Sequence, residues 1–274
     1  MIIAQISDFH VTANGRLAYR RVDTASALAA AVAHLNALEP RADVVLATGD
    51  LVDLGTAEEY ALLRELLAPV SAPVLVLPGN HDERAALRAA FGRDGYLPRQ
   101  GGHLHYAIED WPVRILALDT VVPGRGHGEL PPAEIAWLEA RLAEQPERPT
   151  VIALHHPPFL TGIGHMDEIR LLAGAEALGA VVERHPQVER VICGHVHRAI
   201  QVRWHGTIAS TAPSTAHQVV LDLREGAPST FAMEPPGLQI HLWCEAQGMI
   251  SHTAPIGRFD GPYPFFEESG ELVV

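Results

Sequence analysis

Val74-Leu75-Val76-Leu77-Pro78-Gly79-Asn80-His81-Asp82 decides how this chain is read. The apolar run has the composition of a buried strand, which puts the four polar residues on the loop where the strand ends. Asn80 is one of three asparagines in the chain. Its amide oxygen, flanked by glycine, histidine and aspartate, suits a metal ligand beside an acid or phosphate contact. Gly-Asn also makes ordinary turns, so the weight falls on four further segments of the same layout. Asp8-Phe9-His10 follows a strand over 1–7, and Gly49-Asp50 follows one over 43–48. His155-His156-Pro157-Pro158 follows 150–154, and Gly194-His195-Val196-His197 follows 188–193.

Between these strands the periodicity predicts helices. Residues 22–38 carry alanine and leucine at helical spacing, with Asp23 or Thr24 as cap. Thr56-Ala57-Glu58-Glu59 has capping-box spacing ahead of Leu62, Leu63, Leu66 and Leu67. Further helices are expected over 82–91, from Pro131-Pro132 through Leu142, and over 168–185, with additional strands at 103–109 and 113–119. After His197 the pattern changes to short alternating runs at 199–204, 206–210, 217–223 and 238–244, read as mostly antiparallel strands of a second sheet. The tail, with Pro255, Pro262 and Pro264 among aromatics, reads as an irregular arm.

Composition narrows the function. The chain has 274 residues, 47% of them hydrophobic, enough for one large core plus a small appendage. A formal charge of −13 offers no basic surface to a nucleic-acid backbone. All 20 basic residues are arginine. Without lysine there is no Schiff-base chemistry, no pyridoxal phosphate attachment and no Walker-type phosphate loop. Cys193 and Cys244 make no disulfide framework and read as buried apolar residues. Lacking a signal core or a membrane-length apolar run, the chain is expected to be cytoplasmic.

The strand ends together supply Asp8, His10, Asp50, Asn80, His155 or His156, His195 and His197, at the end of an α/β sheet where functional loops gather. If the strands continued, the members of each pair two apart, Asp8 with His10 and His195 with His197, would face the same way. This nitrogen and oxygen set suits zinc, manganese, iron or cobalt and is too rich in nitrogen for calcium. Seven ligands exceed the needs of one ion but serve two that share a carboxylate, about 3.5 to 4 Å apart. At an effective dielectric of 20 the two ions would repel by roughly 15 to 20 kcal/mol, so an anionic bridge is required, and Asp50 is the candidate.

The ordered succession Asp8-x-His10, Gly49-Asp50, Gly79-Asn80-His81-Asp82, His155-His156-Pro157 and Gly194-His195-x-His197 resembles the calcineurin-like metallophosphoesterase superfamily. Within it the likeness leans to the class III cyclic-nucleotide phosphodiesterase and bacterial glycerophosphodiesterase branch, and covers residues 1 to about 220. The resemblance implies a four-layer αββα sandwich of two mixed sheets, with a catalytic domain over 1–220. Residues 221–274 would complete the second sheet and contribute to a homodimer or larger assembly. It implies one ion on Asp8, His10, Asp50 and His197, and another on Asp50, Asn80, His155 and His195. His155 is chosen over His156 by resemblance alone. It also implies that metal-activated hydroxide attacks a small phosphodiester such as a glycerophosphodiester or cyclic nucleotide, with Asp50 and His81 catalytic and Asn80, His81 and His217 on the substrate side.

Leu54 stands where the superfamily's protein phosphatases place an arginine to grip a phosphomonoester dianion, which leans the reading toward diesters. The rivals are a phosphomonoesterase of the same superfamily and a non-catalytic scaffold with this fold. His127 and His165, in loops near the motifs, are candidates to line the pocket. His34, His103, His105, His205, His241 and His252 are read as structural.

Overall fold

Residues 1–273, described by a computed structural model, build two mixed sheets around a shared core; residue 274, the end of the expected C-terminal segment, lies outside the described residues. The first part of the chain runs β1 (Ile2–Ile6), α1 (Thr24–Asn36), β2 (Val44–Thr48), α2 (Ala57–Leu67), β3 (Val74–Leu77) and α3 (Arg84–Phe91). The middle runs β4 (Tyr106–Ile108), β5 (Arg114–Leu118), β6 (Gly128–Glu129), α4 (Pro132–Glu144), β7 (Thr150–Leu154), α5 (Gly164–Asp167), β8 (Leu171–Ala173), α6 (Ala175–Arg184) and β9 (Val188–Cys193). Then follow β10 (Ile200–Trp204), β11 (Thr207–Thr211), β12 (Gln218–Val219), β13 (Phe231–Ala232), β14 (Gly237–Cys244) and β15 (Gly248–Pro255).

One sheet has the order β15-β14-β1-β2-β3, the other β10-β11-β9-β7-β5-β4. Within them β1, β2 and β3 are parallel, as are β5, β7, β9 and β11, and antiparallel strands close every edge but that of β3. The central strands β2, β5 and β7 are buried at every residue, as parallel strands covered on both faces must be. Alternation along β5 shows the layering. Ile115 and Ala117 join a core with Ile3, Val45 and Ala47 of the opposite sheet, while Leu116 and Leu118 pack with Leu138 and Leu142 of α4 and Leu178 and Val182 of α6. Helices α1 to α3 cover the first sheet, giving the helix–sheet–sheet–helix order expected from resemblance. Asp23 caps α1 and the Thr56–Glu59 capping box opens α2.

Three expectations change. The C-terminal strands do not complete the second sheet: β14 pairs antiparallel with β1, and β15 extends β14 over eight residue pairs, so they enlarge the first. Only β10 and β11 join the second, and β12 and β13 form a separate ribbon. The helix expected over 168–185 is divided, because Gly128 N bonds to Arg170 O (3.1 Å) and Leu130 N to Ala173 O (3.0 Å), which draws this segment into a ladder with β6. α6 starts only after Gly174, at φ 86°. Of the two thiols, Cys193 is buried but Cys244 is half-exposed at the end of β14.

A polar seam ties the sheets together inside the core. Gln5 Nε2 donates to Thr48 Oγ1 (3.0 Å) and to the Cys193 carbonyl (2.9 Å), and Gln239 Nε2 donates to the Thr211 carbonyl (2.8 Å). Gln5 Oε1 accepts from His241 Nε2 (3.0 Å), whose Nδ1 accepts from Ser251 Oγ (2.7 Å). Every one of these contacts relieves a polar group that would otherwise be costly to bury. Burial, and then the Arg190 charge, lowers the His241 pKa to about 3 from the ordinary 6.5.

Between pH 6.5 and about 3 the unfolded chain therefore takes up a proton at His241 that the folded chain refuses, and stability falls as pH falls through that window. One such group contributes a slope of roughly 1.4 kcal/mol per pH unit. In urea denaturation across this range, His241→Gln should show a shallower loss of stability than the wild type by about that slope. Superimposable slopes would mean that His241 is not held neutral in the core.

Candidate metal centre

The C-terminal ends of β1, β2, β3, β7 and β9 meet at one end of the sandwich, but strand alternation does not aim their side chains. The strands stop at Ile6, Thr48, Leu77, Leu154 and Cys193. Beyond them Asp8 (φ 57°), His10 (46°), Asp50 (48°), His195 (71°) and His197 (52°) all take left-handed backbone. For a residue with a Cβ that conformation costs about 1–2 kcal/mol. The exits are held by their neighbours: Asp8 N donates to Gly49 O (3.1 Å), His10 N to Asp50 O (2.9 Å) and Val11 N to Leu51 O (3.2 Å), zipping two loops together. Asp82 buttresses the third, accepting from Leu51 N (3.1 Å) and Gly79 N (2.8 Å) on Oδ2 and from Tyr60 OH (2.8 Å) on Oδ1. A Cβ on Gly79 would collide with the Asp50 backbone nitrogen and carboxylate, so only glycine lets these loops approach.

The ligand atoms of Asp8, His10, Asp50 and His197 lie within 4.8 Å of one another. His10 Nε2 is 3.2 Å from His197 Nε2, and His197 Nε2 is 3.5 Å from Asp8 Oδ1. On the other side, His155 Nε2 is 3.2 Å from Asn80 Oδ1 and 3.3 Å from His195 Nδ1. Asp50 Oδ2 stands between the two groups, 3.6 Å from His10 Nε2 and 3.3 Å from His155 Nε2. All seven expected ligands are thus brought together. His156 is near enough to join a group with His155 and His195, yet its Nδ1 is 2.7 Å from Thr120 Oγ1 and its Nε2 3.1 Å from Gly126 O. Both its nitrogens are engaged, and it is His155 that turns toward Asp50 and Asn80.

Which nitrogen each ring offers follows from what holds the other. His155 Nδ1 donates to Thr48 O (2.8 Å) and His197 Nδ1 to His217 O (3.1 Å), while His10 Nδ1 lies 3.5 Å from Asp53 Oδ1. The two hydrogen bonds leave the Nε2 lone pairs of His155 and His197 facing inward, the orientation a metal ligand needs. Facing lone pairs 3.2 Å apart on His10 and His197 repel unless a cation or proton lies between them. Asp8 Oδ2 and His195 Nε2 are also buried without a protein partner. The donor set, its tautomers and these orphaned atoms fit divalent transition ions.

Protonation points the same way. Burial opposes a charge on Asp50, but His155 and His81 hold its pKa well below the usual carboxylate range. Burial brings His195 down to about 3 and pushes His197 well down, so both are neutral donors. Asp8 is raised to about 6 by burial, and His155 reaches about 9 because the Asp50 carboxylate outweighs its burial. Ions entering such a cluster displace its protons.

A cavity of about 360 Å³ opens onto these groups, lined also by Tyr19, His81, Met166, Ile169, His217 and Phe231. His81 Nδ1 bonds to Asp53 O (2.8 Å), leaving Nε2 for the cavity, and the His217 ring lies 5.2 Å from both Tyr19 and Phe231. His127 and His165 do not line it: His127 turns to Glu129 at 3.3 Å, and α5 presents Met166 instead of His165. Asp53, placed against His10 and His81 and tied to Arg16 (2.8 Å), escaped the sequence reading although it sits in Gly49-Asp50-Leu51-Val52-Asp53. Its spacing from Asp50 was the available signal. Nothing in the sequence marked Tyr19 or Phe231.

The chain has known relatives in sequence and in fold. It is 43% identical, with 100% of both chains covered, to a probable glycerophosphodiester phosphodiesterase, GpdQ, of Arcobacter nitrofigilis. It is 34% identical to the 3',5'-cyclic adenosine monophosphate phosphodiesterase CpdA of Escherichia coli, over 79% of this chain and 76% of that one. Among solved structures, a dimetal phosphatase from Danio rerio shares the fold at TM-score 0.62 and 15% identity, covering 93% of this chain and 99% of the other. The calcineurin-like phosphoesterase family model matches residues 1–199. The chain belongs to the calcineurin-like phosphoesterase family.

Proposed function

We propose that the protein hydrolyses small phosphodiesters at two divalent ions, one held by Asp8, His10, Asp50 and His197 and the other by Asp50, Asn80, His155 and His195. The observation that carries this is the position of Asp50 Oδ2 between the two donor groups, 3.6 Å from His10 and 3.3 Å from His155. Zinc, manganese, iron and cobalt all suit these donors. When bound, such a pair would polarise phosphoryl oxygens and lower the pKa of a water for attack.

The chain's own groups do the rest. The Asp50 carboxylate is shared and His81 N donates to its Oδ1 (2.9 Å), which links the bridge to the loop that faces substrate. His81, with Nδ1–H on the Asp53 carbonyl, can in its imidazolium form offer Nε2–H to a phosphoryl oxygen or to the departing alkoxide. Tyr19, His217 and Phe231 wall the side on which an alcohol group would rest. No arginine is among the residues lining the cavity, and Leu54 is solvent-exposed, so a phosphomonoester dianion finds no guanidinium there. Relatives named for glycerophosphodiester and cyclic AMP hydrolysis support the diester preference.

We place this activity in the cytoplasm, on the acidic charge and free thiols. No helix among the described residues is long and apolar enough to cross a membrane. The arm after β15 exposes Phe259, Tyr263, Phe265 and Phe266, and we assign it to contact with a second copy.

With two aryl substrates sharing one leaving alcohol, metal-loaded protein should turn over the diester at least about tenfold faster than the monoester, and Asp50→Ala should abolish both activities. Preference for the monoester would reverse the substrate assignment, and full activity in Asp50→Ala would remove the bridge. His81→Ala should lower kcat by about 10²–10⁴-fold while elemental analysis still finds both ions. Loss of metal in that variant would make His81 a ligand instead. Deleting residues 257–274 should shift the sedimentation coefficient to that of a monomer, and an unchanged value would relieve the arm of that role.

A further inference from the structure

Outside the dinuclear centre, one other group of side chains among the described residues has the composition of a metal site. His103 and His105, two apart at the entry to β4, converge with Glu134 of the first turn of α4, and their ligand atoms lie within 4.8 Å of one another. His103 Nδ1 is 2.5 Å from Glu134 Oε1, and His105 Nε2 is 2.5 Å from Glu134 Oε2. Two imidazole nitrogens therefore address the two oxygens of one carboxylate from two separate elements. Side-chain exposures of 28% for His103, 14% for His105 and 13% for Glu134 place the group just beneath the surface, within reach of ions from solvent.

Two rings with centroids 5.5 Å apart converge on the one carboxylate. The His105 ring also packs on Trp137 at 5.0 Å, and its Nδ1 is buried without a partner. The approach is rigidly supported. Leu104, between the two histidines, donates its N to Asp119 Oδ2 (2.8 Å). Arg84 grips the same carboxylate at 2.6 and 2.8 Å, and Arg88 holds the incoming loop at Pro98 O (3.0 Å) and Gly101 O (2.8 Å).

We infer that His103, His105 and Glu134 form a third cation site, selective for zinc-like transition ions, that staples the edge strand β4 to α4. Two imidazole nitrogens and a carboxylate make the three-residue set on which zinc-like ions keep a further position for water, and one that calcium and magnesium disfavour. The site is independent of the phosphodiesterase assignment. Through Leu104, Asp119 and Arg84 it touches α3, which begins two residues after Asp82, so an ion here would brace the base of the Asn80–His81 loop.

The test is zinc content by elemental analysis after dialysis of the full-length protein against the same buffered free zinc, for wild type, His103→Gln and Glu134→Gln. Each variant should hold one zinc per chain fewer than wild type, with an unchanged far-ultraviolet circular dichroism spectrum as the sign of an intact fold. Cobalt-loaded wild type should likewise show more visible absorption per chain than the variants, in which the dinuclear centre alone takes cobalt. Equal zinc content in all three proteins overturns the site, whatever the shared number. Because only the difference between proteins is read, a dinuclear centre that fails to fill would not mimic that result. Should Glu134→Gln fold poorly, the more exposed His103→Gln decides alone.

Discussion

The crowding of buried donor atoms is the constraint on which this structure turns. His10 Nε2 and His197 Nε2, 3.2 Å apart with Asp8 and Asp50 beside them, would separate if their backbones were free to move and no proton or cation lay between them. Three devices prevent it. Left-handed exits at Asp8, His10, Asp50, His195 and His197 fix where the side chains leave the main chain. Backbone bonds from Asp8, His10 and Val11 to the 49–51 loop lock those exits, and Asp82 fastens the 79–82 loop to the same place. The carbonyls of Thr48 and His217 then fix the ring tautomers. The rest of the fold is a rigid frame for this arrangement, and the strain at the exits is sustained because two sheets and their polar seam surround it.

Much of this was legible in the sequence because the chemistry is local. Each donor segment follows an apolar run, and glycine precedes Asp50, Asn80 and His195 where loops must touch. Ligand type and order therefore named the family before any distance was known. What the sequence could not convey was non-local. That β14 and β15 extend β1 instead of the second sheet depends on pairing between residues more than 230 positions apart, such as Gln5 with Gln239. Tyr19, Phe231 and Asp53 acquire their roles from neighbours, and a period-two reading of Asp8-x-His10 gave the right convergence for the wrong reason, since no strand continues there. The helical pattern over 168–185 was likewise overridden by the ladder between β6 and β8.

His155 and His156 show how second partners separate residues that sequence cannot. Adjacent, identical and both fully buried, they differ in what their nitrogens meet. Thr48 O takes the Nδ1 proton of His155 and leaves Nε2 for the centre, whereas Thr120 and Gly126 occupy both nitrogens of His156. Gly128, whose Cβ would land 2.5 Å from the His156 ring nitrogen, makes room for that second ring. A neutral His156 held this way adds no charge to the cluster and serves as packing behind His195, 4.7 Å away.

The charge balance around the cavity links metal binding to substrate binding. The chain carries a formal charge of −13, and Asp50 lines a cavity with no arginine in its lining, with the carboxylates of Asp8 and Asp53 behind its histidines. Arg16 answers Asp53 from outside, leaving Asp8 and Asp50 to make the interior repellent to any phosphate ester. Two divalent ions would reverse that sign, leaving the centre formally two charges positive after both carboxylates are counted. Attraction for a phosphodiester monoanion is then supplied by the metals, and selectivity among diesters falls to the uncharged wall of Tyr19, Met166, Ile169 and Phe231. A site built this way has no need of the arginine that Leu54 replaces, since the single negative charge of a diester is already more than matched.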